Sequence, residues 1–222
     1  FAYFAAPAIT TSAIVETALR IMSPHALRRG LRGHVIIGGC GRLAMLYMRK
    51  LREHDKRRPI VVVERHLDNP NLRAAQEIYG SLIVHGDLTS ATLLDSLRLE
   101  RAHRVALFTG DDHVNLDSAS RIAALAPHLA DRTVAHVADL RFLRVIESRK
   151  ILSRAYKFNS YRTAADHLVE TLLVPHFQST DNRDTVVLAG FGRFGQTVLH
   201  ELQNAALGQF GKVIIVDMNA DS

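Results

Sequence analysis

Short apolar runs rich in β-branched residues alternate with segments of helical periodicity along most of the chain. The runs end at glycine or acidic residues, which is typical of buried strands in a parallel sheet. The pattern predicts strands at 34–38, 60–63, 81–85, 104–108, 133–137 and 155–156, and helices over about 71–79, 89–97, 113–125 and 140–150. This alternation predicts an α/β fold with a doubly wound, Rossmann-like parallel sheet.

A glycine turn follows the first predicted strand. The sequence Gly39-Cys40-Gly41-Arg42-Leu43-Ala44 has the spacing G-x-G-x-x-A. In nucleotide-binding folds the first glycine allows the tight turn, the second lets the backbone approach a pyrophosphate, and a small third residue lets the helix pack closely on the sheet. The next strand ends at Glu64, where a carboxylate accepts hydrogen bonds from a ribose and favours a free 2′-OH. We therefore predict a nucleotide site, although such a glycine pattern alone is often only a turn.

The same unit begins again about 150 residues later. A strand at 185–189 leads into Gly190-Phe191-Gly192-Arg193-Phe194-Gly195, a full G-x-G-x-x-G, and the next strand at 212–216 ends at Asp217. Chance repetition of the whole strand, turn and acid unit is improbable, so the sequence predicts a tandem duplication. The second copy stops after one strand–helix–strand unit, and we expect that it cannot bury a sheet by itself.

A crossover helix is predicted between the two copies, over Tyr161 to Phe177, with Pro175 closing it. Its apolar stripe is Ala164, Ala165, Leu168, Val169, Leu172 and Leu173. Because the first sheet is already complete at this point, we expect a partner subunit to cover the stripe. Packing on its own domain is the alternative.

Composition narrows the class of protein. The 222 residues, 47% of them hydrophobic, suit one or two domains with a real core. The single cysteine, Cys40, excludes an internal disulfide and fits a reducing compartment. The net charge of +6 permits nucleic acid or acidic lipid as a partner, but tryptophan is absent and no long basic run is interleaved with aromatics, which favours a solvated basic surface. The twelve histidines lack metal-ligand spacing, so no metal site is predicted.

The stretch Phe1 to Ile14 is apolar but shorter than the roughly 20 residues that span a bilayer as a helix. Its composition fits the cut end of a membrane helix, and Arg20, Arg28, Arg29 and Arg32 fit a cytoplasmic flank. An amphipathic helix lying on the domain is the alternative. We expect the sequence to be a fragment of a longer chain, with a first domain at 33–160, the crossover helix and linker at 161–183 and a truncated second domain at 184–222.

Several motifs together resemble the RCK (regulator of K+ conductance) domain family, the module also found in Trk potassium-uptake regulatory subunits. They are HVIIGGCGR followed by Glu64, IVHGDLTSATLLDSL, VALFTGDDHVNL and the helix ending LLVP. The resemblance implies a cytosolic ligand-sensing domain that is not an enzyme. It implies pairing through the crossover helix, and a ring that gates a tetrameric potassium channel or transporter at the cytoplasmic face of a bacterial or archaeal membrane. It also implies NAD or NADH as cofactor, with ATP or ADP as the alternative, and no nucleic-acid partner.

Carried over by position, the resemblance implies one binding site in each copy. The first comprises Gly39, Cys40, Gly41, Arg42, Leu43, Glu64, Arg65, Asp87, Leu88, Thr109, Gly110 and Asp111. The second comprises Gly190, Gly192, Arg193, Gly195 and Asp217. Gly39, Gly41 and Arg42 would hold phosphates and Glu64 the ribose, with Asp87 and Thr109 near the adenine. Ala44 departs from the family's third glycine, and the remainder of the second copy is missing.

Several of these residues also fit a second role. Asp87 equally fits a cap for the next helix. A divalent ion could be bound by Asp111, Asp112 and His113, but we favour Asp112 as a helix cap. Cys40 fits a redox role, but a neutral filler is favoured. The alternative function is the cofactor-binding domain of an NAD-dependent oxidoreductase, which would need a general acid or base that the sequence does not offer.

Overall fold

The structure is a computed structural model that describes residues 31–180 and 183–218. Two compact units make up the chain. The first comprises the residues up to Val137 together with Arg141–Lys157, and the second comprises Ala138–Leu140 together with the residues from Phe158 onward. Within the described ranges, no helix is both long and apolar enough to cross a membrane. The apolar stretch predicted as a membrane-helix end, Phe1 to Ile14, lies outside the described residues.

Six strands and five helices alternate from Val35 to Phe158. The strands are β1 Val35–Gly38, β2 Ile60–Glu64, β3 Leu82–His85, β4 Arg104–Leu107, β5 Thr133–His136 and β6 Tyr156–Phe158. The helices are α1 Arg42–His54, α2 Asn71–Glu77, α3 Ala91–Ser96, α4 Asp112–Leu125 and α5 Leu140–Ser148. Short 3₁₀ helices at Leu99–Arg101 and Pro127–Arg132 precede β4 and β5. Three of these helices, α2, α3 and α5, are shorter than predicted by one or two residues at an end, whereas α4 begins one residue earlier than predicted. The sixth strand begins one residue later than predicted.

The strands form one sheet in the order β3-β2-β1-β4-β5-β6, with β1 to β5 paired in parallel. The first strand is central, since Val35 lies opposite both Ile60 of β2 and Arg104 of β4. The apolar runs are buried as the pattern predicts, and Ile36, Val61 and Val105 belong to one core cluster. The doubly wound, Rossmann-like fold predicted from the sequence is confirmed, and the order in which strands are added to the sheet reverses between β1 and β4.

The crossover helix is longer than predicted and has a defect in its middle. It runs as α6 Ser160–Leu168, a π-helical turn at Val169–Leu173 and α7 Val174–Ser179. The prediction that Pro175 closes the helix is wrong. In the π-helical turn the N–H of Val174 bonds to the carbonyl of Val169, five residues earlier. This wider turn relieves the clash that a proline ring makes inside a regular helix, so Pro175 lies in the first turn of a further helical segment.

Part of the apolar stripe is covered within the same chain, as the alternative of packing on its own domain predicts. The second copy forms β7 Thr185–Ala189, α8 Arg193–Ala205 and β8 Lys212–Val216. Ala165 and Val169 are fully buried in a cluster with Val198 and Leu202 of α8. Leu168 and Leu173 are partly buried against this cluster, whereas Ala164 and Leu172 are exposed. The second copy therefore covers part of the stripe, and Ala164 and Leu172 remain on its exposed side.

The sheet of the second copy is only partly covered among the described residues. Its two strands, β7 and β8, pair in parallel. Val187 is 59% exposed and Val216 is 56% exposed, although both lie on apolar strands. This agrees with the expectation that one strand–helix–strand unit cannot bury a sheet by itself.

Candidate nucleotide-binding site

The glycine turn lies at the carboxyl end of β1, in the crevice beside β4. Gly39 has a φ of +83°, and its N–H bonds to the carbonyl of Val63 at 2.8 Å. A Cβ at this position would lie 2.9 Å from the carbonyl oxygen of Phe108 and 3.0 Å from Cα of Thr109. Glycine is therefore required here both by the positive φ and by the closeness of the backbone that follows the adjacent strand β4.

Gly41 differs from Gly39 because its surroundings are open. It is the N-cap residue of α1 in an extended conformation, and a Cβ here would meet no atom of the described structure within 4 Å. The first N–H groups of a helix have no partner within the helix, and the positive end of the helix dipole favours an anion beside them. Arg42 is exposed, Leu43 is half-buried and Ala44 is buried. The amino end of α1 can thus admit a phosphate group close to the backbone.

Glu64 is held by protein groups on both of its oxygens. Oε2 accepts the N–H of Cys40 at 2.9 Å and Nδ2 of Asn69 at 2.8 Å. Oε1 accepts the N–H groups of Arg65 at 2.8 Å and His66 at 3.0 Å. A carboxylate offers about four lone-pair sites, so this set uses them all. Glu64, predicted to bind a ribose, also ties the glycine turn to the loop after β2.

Two asparagines extend this network, and sequence reasoning missed both. Oδ1 of Asn69 accepts the N–H of Asn71 at 3.0 Å, and Nδ2 of Asn71 donates to the carbonyl of Cys40 at 2.9 Å. The partner of the Asn69 amide is five residues earlier in the chain, whereas the Asn71 amide reaches a carbonyl 31 residues away, after the neighbouring strand β1. A change in the Glu64 contacts would therefore reach both the loop after β2 and the turn after β1.

Asp87 closes the turn after β3 instead of capping the following helix. Its Oδ1 accepts the N–H of Thr89 at 2.8 Å and the hydroxyl of Thr89 at 2.7 Å. These two hydrogen bonds, with the charge of Arg65 at 3.8 Å, hold the pKa of Asp87 below its usual range. Ser90 is the N-cap residue of α3. Leu88, predicted to contact the ligand, is only 3% exposed and packs over Gly38.

A buried asparagine, Asn115, organises the end of β4. Its Oδ1 accepts the N–H of Thr109 at 3.1 Å and the Thr109 hydroxyl at 2.7 Å. Its Nδ2 donates to the carbonyls of Thr109 and of His136, at the end of β5. Asn115 therefore fixes the side chain of Thr109 on the β4 side of the crevice. The sequence showed this residue as part of a motif but gave no sign of its partners.

The N-cap of α4 is Asp111, not Asp112 as we favoured. Oδ1 of Asp111 accepts the N–H groups of His113 at 2.8 Å and Val114 at 3.1 Å, whereas Asp112 lies inside the first turn. Gly110, beside it, is exposed. In the described part of the chain no group of three or more His, Cys, Asp or Glu side chains is arranged to hold a metal ion.

Cys40 lies inside the turn with its side chain fully buried. Burial, with a smaller effect from the Glu64 charge, raises the pKa of the thiol to about 11. The thiolate is the reactive form of cysteine, so this side chain is neutral and unreactive at physiological pH. The geometry favours the neutral filler over the redox role.

The second copy repeats the turn and its acid. Gly190 has a φ of +93°, and Oδ2 of Asp217 accepts the N–H of Phe191 at 2.6 Å, as Glu64 accepts that of Cys40. Gly192 is the extended N-cap of α8 with open space around it, and Arg193 is exposed. A Cβ on Gly195 would overlap the carbonyl oxygen of Gly190. The acid that follows the second strand thus fastens the glycine turn in both copies.

This geometry, with an open helix amino terminus at the point where the strand order reverses, defines a Rossmann-like nucleotide-binding domain. Residues 35–154 match the TrkA-N domain family. The chain belongs to that family, and the resemblance to RCK and Trk-type domains recognised in the sequence is confirmed.

The similar proteins include one curated relative and two structures of one channel. The chain is 27% identical over 150 residues to the Trk system potassium uptake protein TrkA homolog of Pyrococcus abyssi, which covers 65% of this chain and 62% of the relative. The chain therefore spans about three fifths of that relative. GsuK bound to ADP is 20% identical with a TM-score of 0.61, covering 84% of this chain and 44% of GsuK. The GsuK channel bound to NAD is 14% identical with a TM-score of 0.62, covering 85% and 46%. At this identity the two structures support the fold.

Proposed function

We propose that this chain is a regulatory domain that binds an adenine nucleotide and controls a potassium channel or transporter. The observation that carries the proposal is the open amino terminus of α1, beside a turn whose conformation and neighbours require Gly39. A relative named as a potassium uptake protein, and a channel that binds NAD in one structure and ADP in another, support it. NAD or NADH is the proposed ligand, with ATP or ADP as the alternative.

The proposed contacts follow the site geometry. The backbone at Gly39 and Gly41, with the exposed Arg42, would bind the phosphates. Glu64 would accept the ribose hydroxyls, which favours a free 2′-OH over a phosphate because two anionic groups would repel each other. Asp87 and Thr109 would lie near the adenine, with Leu43, Arg65, Gly110 and Asp111 completing the site. Cys40 and Leu88 would contribute through their backbone groups, because their side chains are buried.

The proposal assigns the chain no catalytic role. A regulatory domain converts binding energy into a shift between two conformations, and a ligand can shift such an equilibrium only by its difference in affinity for the two states. We propose that residues 33–160 bind the nucleotide, that 161–183 form the crossover helix and linker, and that 184–222 begin a second such domain. The exposed side of the crossover helix, at Ala164 and Leu172, would pair with a second copy to build a gating ring at the cytoplasmic face of the membrane.

Two matched variants test the proposal and assign the site. Gly41→Ala and Gly192→Ala each add one methyl group at the N-cap of a helix, where the backbone is extended and the space is open, so both should fold. Gly41→Ala should weaken NADH binding in calorimetry by at least about tenfold, because the methyl group meets the phosphate that approaches the backbone. If Gly41→Ala binds NADH, NADPH, ATP and ADP as the parent does, the first turn is not a phosphate site.

Gly192→Ala tests which of the two copies binds the nucleotide. Loss of affinity in this variant alone would move the site to the second turn, and loss in both would show two sites. A preference for NADPH over NADH would contradict the role of Glu64. Oxidation of NADH that depends on an added substrate, at enzyme-like rates, would favour the oxidoreductase.

A further inference from the structure

The edge of the sheet opposite the glycine turn is strongly basic. Strand register places Val35 beside Ile60 and Arg104, and Val105 beside Thr133, so the segments that lead into β1, β2, β4 and β5 meet at one edge. We call this set the basic edge. Its members are Lys56, Arg57, Arg58, Arg101, His103, Arg104 and Arg132.

Hydrogen bonds hold these segments together. Nη1 of Arg58 donates to the carbonyl of Gly33 at 3.1 Å, and the N–H of Gly33 donates to the carbonyl of Arg101 at 2.8 Å. The charges of Arg58, Arg104 and Arg132, after the larger effect of burial, lower the pKa of His103. The guanidinium groups therefore act on one small region of the surface.

The acidic residues near this edge are already paired. Asp55 binds Arg58 at 2.8 Å, Glu100 binds Arg98 at 2.7 Å, and Asp131 binds Arg154. Arg104 and Arg132 are exposed. Asp55 neutralises Arg58, but the exposed Lys56, Arg57, Arg104 and Arg132 keep the net charge of the basic edge positive. The opposite edge of the sheet carries acidic and basic residues together: Glu64, Asp87 and Asp111 with Arg42 and Arg65. The excess of cations is therefore found at the amino ends of the strands.

We propose that the basic edge binds the anionic headgroups of a phospholipid bilayer. Cationic side chains near an anionic leaflet are attracted within about one Debye length, roughly 8–10 Å at physiological salt. The sequence that enters β1 at this edge combines the apolar stretch Phe1 to Ile14 with Arg28, Arg29 and Arg32. Apolar residues followed by arginines suit a bilayer interface. Binding of single-stranded nucleic acid, in contrast, combines charge with aromatic stacking.

Vesicle binding by the full chain tests the proposal. Affinity is measured for vesicles of phosphatidylcholine alone and for vesicles that also contain phosphatidylserine. The double variant Arg104→Gln/Arg132→Gln should lose about 30-fold of its affinity for the acidic vesicles, at about fivefold per cation. The control Arg73→Gln/Arg144→Gln removes two exposed cations from helices that follow the carboxyl ends of β2 and β5, and should change the affinity by about twofold or less.

The deciding quantity is the ratio of the affinity for acidic vesicles to the affinity for phosphatidylcholine vesicles. An apolar segment contributes similarly to both kinds of vesicle, so it cancels in the ratio. Parent binding that prefers acidic vesicles, weakens with salt and is lost in Arg104→Gln/Arg132→Gln supports the proposal. Equal binding to both vesicles, or equal losses in the edge variant and the control, overturns it.

Two further measurements distinguish lipid binding at the basic edge from nucleic-acid binding and from the nucleotide site. Tighter binding to duplex DNA than to acidic vesicles at the same salt would assign the basic edge to nucleic acid and overturn the proposal. Calorimetry with NADH on Arg104→Gln/Arg132→Gln should match the parent, because the edge lies at the other end of the strands. A failure of the proposed nucleotide site would therefore not be mistaken for a failure of the basic edge.

Discussion

Replacing Asn69 with alanine should tighten nucleotide binding while lowering the stability of the chain. All four lone-pair sites of Glu64 are used by protein donors. Three of these donors are backbone N–H groups, whereas Asn69 supplies the only side-chain donor among the four. A ribose hydroxyl that binds Glu64 would most easily displace this side chain. The variant removes the competing donor before the ligand arrives.

The size of the effect follows from one hydrogen bond. Nδ2 of Asn69 lies 2.8 Å from Oε2 of Glu64, and Asn69 is half-buried. A hydrogen bond to a charged group contributes about 1.5–3 kcal/mol, and partial exposure to water reduces this to about 1–2 kcal/mol. The free energy of unfolding should fall by at least that amount, because the variant also removes the bond from the N–H of Asn71 to Oδ1 of Asn69 at 3.0 Å. Because the ligand no longer displaces the bond, affinity should rise about 5- to 30-fold.

Asn71→Ala is the matched control. It removes the bond from Nδ2 of Asn71 to the carbonyl of Cys40, at 2.9 Å, in the same network, but it frees no lone pair on Glu64. It should lower stability by about 1 kcal/mol and leave NADH affinity no tighter. Calorimetry with NADH measures affinity, and urea denaturation followed by circular dichroism measures stability.

Unchanged or weaker NADH binding by Asn69→Ala would refute this reasoning. It would mean either that the ribose does not reach Glu64 or that Asn69 itself binds the ligand. Equal tightening in Asn69→Ala and Asn71→Ala would show that loosening of the loop, and not release of the carboxylate, controls affinity.

Three further predictions concern the crossover helix, the cysteine and a helix cap. Leu172→Asp, at a position 60% exposed, should shift the chain toward monomers in light scattering. The control Leu207→Asp, at an exposed position outside the helix, should not. An unchanged mass in Leu172→Asp would show that the helix takes no part in self-association. Cys40 should resist alkylation at pH 8 until the chain is unfolded, because burial raises its pKa to about 11; rapid labelling of the native chain would contradict this. Asp111→Ala should destabilise the chain by about 0.5–2 kcal/mol and Asp112→Ala by less, because Asp111 is the cap; the reverse order in urea denaturation would contradict the assignment.

Strands and turns that depend on residues adjacent in the chain could be predicted from the sequence. The apolar runs of β1, β2 and β4 are buried on both faces of a parallel sheet, so their composition predicts strands without knowledge of their neighbours. The turn at Gly39 needs a positive φ and no side chain, which only glycine meets without strain. The α/β fold, the nucleotide-binding class and the repeated unit all follow from such local patterns.

The positions of helix caps and helix ends could not be predicted from the sequence. Asp111 and Asp112 are both good caps by residue type, and the choice depends on where the backbone becomes helical. A proline normally ends a helix, but the π-helical turn before Pro175 accommodates its ring. In both cases the outcome was decided by backbone conformations that neighbouring structure imposes, and not by residue type.

Partners that are distant in the chain were decided by tertiary structure alone. Glu64 accepts the N–H of Cys40, 24 residues away, and Asn115 reaches the carbonyl of His136, 21 residues away. The stripe at Ala165 and Val169 is covered by α8 of the second copy. A periodic stripe shows that a surface needs to be buried, but any apolar surface of similar shape satisfies that need, because hydrophobic burial is not directional. Hydrogen-bond partners and the cover of a helix therefore emerge only when the chain has folded.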